Sequence, residues 1–176
     1  MNNMIIPRKV IDEYRGKIPI DIIQMWEIKK SNNFLNGYLK IINPKEYLPI
    51  IEKTYFRGKS AVPLFITAFG DVIVYTKNGF IEIIFYKNND FKIITGKFNH
   101  FLMFLEDESF LDEYFEISLY EEAIKQHGQL NFDQCFGFVP LLALGGKKSV
   151  LNMDKVKIKE YLEIMTLLTG GVGIDE

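Results

Sequence analysis

Eight carboxylates lie between Glu106 and Glu122: Glu106, Asp107, Glu108, Asp112, Glu113, Glu116, Glu121 and Glu122, with no Lys or Arg among them. Acids this dense can do three different things. They can form a solvated face, favoured near helix starts because the helix dipole attracts anions. They can make a negative patch that steers and holds a basic partner. Or two of them, brought across a substrate, can do the acid–base or metal-assisted work of a glycosidase or nuclease. Spacing along the chain leaves all three open. The basic runs Lys147-Lys148 and Lys155, Lys157 and Lys159 are the cations that could neutralise the block within the fold.

Other reactive groups are few. Cys135 is the one cysteine. A nucleophilic thiol needs a nearby cation or helix N-terminus to lower its pKa. Cys135 stands instead in an apolar run beside Phe136 and reads as a buried, inert thiol. His100 and His127 are far apart and read as structural or surface residues. His127, just before a helix-ending glycine, suits the negative end of a helix dipole. There is no HExxH and no paired cysteine, so neither a metal nor a cofactor is expected. Gly145-Gly146-Lys147-Lys148-Ser149 only superficially resembles a phosphate-binding loop. Leu141 stands where that motif asks for its first glycine, and Lys148 where it asks for Ser or Thr. A glycine turn explains it equally well. No catalytic residue emerges, and the chain reads as a non-enzyme.

The elements that must position these groups follow from local patterns. Pro7 to Gly16 reads as a short helix or an irregular arm, and residues 1–16 as an N-terminal arm. Pro19 opens a helix carrying Ile20, Ile23 and Trp26, and Ser31-Asn32-Asn33 ends it. Asn36-Gly37 is a turn and Tyr38–Ile42 a strand. Asn43-Pro44-Lys45-Glu46 supplies an N-cap, Pro at N1 and Glu at N3, with Pro49 predicting a short or irregular helix. Val62–Thr67, Asp71–Thr76, Phe80–Tyr86 and Phe91–Thr95 are β-branched and aromatic runs. Gly70-Asp71, Lys77-Asn78-Gly79 and Lys87-Asn88-Asn89-Asp90 are their turns, which makes an antiparallel meander. Tyr75, Phe80, Phe85 and Tyr86 then belong to the sheet core rather than to a base-stacking surface. Phe98, Phe101, Leu102 and Leu105 share a helix face. Ser109–Asp112 and Ser118–Glu121 match the S-x-x-D/E capping pattern, with Gly128 as a C-cap. A last helix is predicted over Asp154–Leu168, and 172–176 reads as an unstructured tail. The fold class is therefore α+β: an antiparallel sheet of about five strands, a hairpin meander, flanked by N-terminal and C-terminal helices in a single domain spanning 1–176.

With 176 residues, 48% hydrophobic and 14% aromatic, the chain can bury a core without disulfides or metals. A formal charge of -2 argues against a general nucleic-acid binder. The start of the chain lacks the basic and long apolar regions of a signal peptide, and no apolar run is long enough to span a membrane. With one cysteine, a cytoplasmic location is expected.

Four stretches together carry a family resemblance: Asn36–Pro44, Tyr55-Phe56-Arg57-Gly58, Thr67-Ala68-Phe69-Gly70-Asp71, and the glycine-punctuated apolar run Cys135–Gly146. Across nearly the whole chain after Pro7, they resemble the type VI secretion immunity-protein family, which has a GAD-like N-terminal portion and a domain of formerly unknown function. The element order is more loosely similar to the SUKH immunity superfamily. Both resemblances imply a cytosolic protein that binds a cognate toxin, often a nuclease such as a DNase, and blocks it stoichiometrically. Neither transfers a catalytic residue. On that reading the eight carboxylates are the expected contact surface for a basic toxin, with no membrane and no direct nucleic-acid contact. The alternatives are a regulatory or scaffolding protein-binding module and, third, a carboxylate-dependent hydrolase.

Overall fold

The computed structural model describes residues 6–28 and 33–174. The expected stop at Ser31-Asn32 lies outside them. Two helices, α1 (Arg8–Tyr14) and α2 (Ile20–Ile28), precede the sheet. The sheet is antiparallel and in chain order: β1 (Asn33–Phe34), β2 (Leu39–Ile41), β3 (Ala61–Thr67), β4 (Val72–Thr76), β5 (Ile81–Phe85) and β6 (Asp90–Thr95). The helix α3 (Pro44–Thr54) joins β2 to β3. After the sheet come α4 (Phe98–Phe104), α5 (Glu108–Phe110), α6 (Ile117–His127), the antiparallel pair β7 (Gln134–Phe138) and β8 (Met153–Lys157), and α7 (Ile158–Thr169). The fold is α+β as expected, with six sheet strands rather than about five and a second small sheet.

Both faces of the six-stranded sheet are covered, and alternation along the strands sorts the residues. Ile73, Ile81, Ile83 and Phe65 face one core with residues of α2, α4 and α6. Val72, Val74, Ile84 and Ile66 face the other, with α3 and α7. A register shift between Pro63 and Phe65 turns Leu64 and Phe65 to the same core. Truncating a buried ring such as Phe65 typically costs about 3–5 kcal/mol.

Local signals mostly act as read. The Asn43 side chain accepts from the Lys45 amide at 3.1 Å and donates to Glu46 at 3.2 Å, closing the cap of α3. Pro49 does not shorten that helix, which runs for 11 residues. Asn78-Gly79 turns the β4–β5 hairpin with Gly79 at φ 87°. Ile20 is exposed, and α2 buries Ile22, Ile23, Met25 and Trp26 instead.

Three expectations are corrected. The segment over Asp154–Lys157 is strand, not helix, because Cys135 pairs with Val156 and Phe138 with Met153; α7 starts only at Ile158. The expected caps Ser109 and Ser118 are not caps. Asp107 accepts from the Phe110 amide at 3.0 Å and caps α5, whereas the Ser118 hydroxyl donates to Asp112 at 2.9 Å from within α6. Between these helices Leu111–Phe115 is π-helical, and Glu116 turns the chain in the left-handed region at φ 51°. Val172 is buried and bridges Tyr55, so the chain after α7 is tied back to the end of α3.

Candidate functional site

Tyr38 joins the sheet to the later helices. Its ring stacks on Phe115 at 5.2 Å and meets Tyr120 edge-on at 5.1 Å and Phe69 at 6.0 Å. The Tyr120 hydroxyl donates to the Asn36 carbonyl at 2.9 Å, which fixes the Leu35–Gly37 turn against α6. Gly37, at φ 89°, is where a side chain would press within 3.3 Å of that hydroxyl. Leu35 and Asn36 are themselves in the left-handed region at φ 51° and 54°. That region costs an ordinary L-residue about 1–2 kcal/mol, so packing and the Tyr120 bond must hold the turn in place.

Between this turn and α6 lies a groove of about 710 Å³. Leu35, Leu111, Ile117 and Ile124 give it apolar walls, while Glu108, Asp112, Glu121 and Lys125 supply charge. Three of the eight sequence-predicted carboxylates therefore meet at one cavity. Glu106, Asp107, Glu113 and Glu122 are exposed nearby in the chain. Asp107 and Asp112 have the local bonds described above. Among the described residues, the side chains of Glu106, Glu108, Glu113, Glu121 and Glu122 have no hydrogen bond or ion pair.

Glu116 is different. It is half-buried and accepts from Lys87 at 2.6 Å and from Lys148. Lys87, itself buried, also reaches Asp71 at 3.4 Å. Burial works against the Glu116 carboxylate, but Lys87 and Lys148 outweigh it and hold its pKa below the usual value. Burial likewise opposes the Lys87 ammonium, and Asp71 and Glu116 raise it above its usual value. Asp71, fully buried, is pushed up to about 6 by burial despite Lys87. Glu116 thus anchors the acidic segment to the sheet, a role its sequence neighbours gave no sign of. Of the basic runs, only Lys148 turns to the acidic block. Lys157 pairs with Asp133, Lys159 with Glu46, and Lys155 donates to the Gln129 carbonyl.

Lys40 makes a second tie. Buried at 2% exposure, its ammonium donates to the carbonyls of Asn131, Phe132 and Gln134 at 2.9, 3.2 and 2.7 Å. Burial lowers its pKa to about 8. At the adjacent contact the Phe136 amide donates to the Ala68 carbonyl, and a side chain on Gly70 would strike the Tyr161 ring. The residues that carried the family resemblance are therefore largely joint residues. Lys40 ties Asn36–Pro44 to the carbonyls just before the Cys135–Gly146 run, and Ala68 in Thr67–Asp71 accepts from Phe136 at its start.

The other chemical candidates are placed as follows. Cys135 is fully buried, and burial pushes its thiol up to about 12. His127 Nε2 lies 2.7 Å from the Val150 carbonyl, and His100 is exposed. Gly145 and Gly146 form a turn after β7, with Gly145 at φ 84° and Gly146 packed on the Pro140 carbonyl. Among the described residues no three His, Cys, Asp or Glu side chains gather as a metal site, and no helix is long and apolar enough to cross a membrane.

Residues 1–87 match the GAD-like domain family, and residues 95–169 match the family described as T6SS immunity protein Tdi1, C-terminal. The second part of the chain is thus similar to the C-terminal domain of a type VI secretion immunity protein, and the first part to a GAD-like domain. The family boundary does not separate two bodies of structure: β6 lies across it and completes the sheet that the GAD-like part begins. The eight carboxylates, the groove's α6 wall and Lys125 all lie in the Tdi1-type part, whereas Leu35 and Asn36 come from the GAD-like part. The crystal structure of Atu4351 from Agrobacterium tumefaciens has the same fold, with a TM-score of 0.71 at 19% identity over 95% of this chain and 82% of that one. No curated protein matches the chain significantly.

Proposed function

We propose that this protein binds a cognate bacterial toxin in the cytoplasm and neutralises it stoichiometrically by covering its active site or substrate channel, without catalysing a reaction. We further propose that the toxin is a nuclease. The observation that carries this reading is the set of unpaired carboxylates around a groove with apolar walls. A nuclease must hold phosphates with basic residues, so a negative surface competes directly with DNA or RNA for them. The match of residues 95–169 to an immunity-protein family supports the immunity role, and the acids supply the sign of the partner. Glu106, Asp107, Glu108, Asp112, Glu113, Glu121 and Glu122 are the contact residues on this reading. Glu116 serves by holding the segment in place.

The test is co-expression with the toxin-like protein encoded beside this chain, scoring survival and co-purification. Rescue with a stable complex, weakened steeply by salt and by Glu108→Lys with Glu121→Lys, is the expected outcome. A complex indifferent to both salt and these reversals would remove the acidic surface from the account. Absence of both rescue and complex would favour a regulatory or scaffolding role. That role has its own support in the exposed apolar side chains Ile164, Leu167 and Leu168 on α7.

A further inference from the structure

We draw no further inference here: the strongest candidate, the exposed apolar face that Ile164, Leu167 and Leu168 form on α7, carries none because nothing in the structure shows what covers it.

Discussion

In the sheet strands and the turns that join them, Lys40, Glu82, Lys87 and Asp71 are buried, and each is held by a partner from elsewhere in the chain. Between Glu106 and Glu122, five of eight carboxylates have no partner among the described residues. The difference follows from where each charge sits. A buried charge left alone costs several kcal/mol, so the fold must satisfy it. Like charges on an exposed helix cost only tenths of a kcal/mol, so a fold can leave them for another molecule. Glu82 shows the first case: it accepts from Arg57 and from the Tyr55 hydroxyl, so two of its hydrogen bonds come from the Tyr55–Gly58 stretch. Glu121 shows the second. The sheet charges hold the structure together, and the acids on and before α6 remain available.

The most damaging way to break this contrast is Lys87→Met. It strands Asp71 and Glu116 without their shared cation, and we expect a loss of about 3–5 kcal/mol, read as the shift in the urea midpoint. Adding Asp71→Asn should recover part of the loss by removing the stranded charge. A Lys87→Met protein as stable as the wild type would mean that the buried pair does not anchor the acidic segment.

Next comes Lys40→Met, expected to cost about 1–3 kcal/mol because three carbonyls lose their donor. Its pH dependence identifies the cause. The folded pKa, about 8, lies below the ordinary value of 10.5. Between those values the unfolded chain binds more protons than the folded one, so the Lys40 contribution makes stability rise with pH across that window. The wild type should therefore gain stability relative to Lys40→Met between pH about 8 and about 10. A constant difference across that range would mean that the ammonium is not desolvated as the structure shows.

The joint formed by Lys40, Tyr38 and Glu116 also bears on how the two family portions unfold. Residues from both contribute to each hydrophobic core, and β6 spans their boundary. We expect one cooperative transition, with fluorescence from Trp26 in the first portion and far-ultraviolet dichroism giving the same midpoint. Two separated transitions would divide the chain into independent domains.

How far the sequence foretold these regions depends on distance along the chain. The α3 cap and the Asn78-Gly79 hairpin are decided within four residues, and both were legible. β8 was not, because its pairing with β7 joins Met153 to Phe138 across the glycine loop, and its local pattern is compatible with either helix or strand. The π-helical stretch and the left-handed Glu116 left no local signature either. The acidic block was plain as a block, but the division of labour within it was hidden. Glu116 is set apart by Lys87, 29 residues away.

The smallest effect on stability should come from the residues with the largest proposed effect on binding. Glu108→Lys with Glu121→Lys changes two exposed, unpaired side chains, so the unfolding midpoint should stay within about 0.5 kcal/mol of the wild type. The same variant should weaken the toxin complex markedly and flatten its salt dependence, because charges that met the partner's cations now repel them. Lys87→Met should rank the other way, with a large loss in the unfolding assay. Its effect on binding should shrink under conditions that restore its folded population. If both variants ranked the same way in both assays, charge in the sheet and charge around α6 would not have separate roles. A crossed ranking would mean that this chain keeps the charges that fold it apart from the charges it offers to a partner.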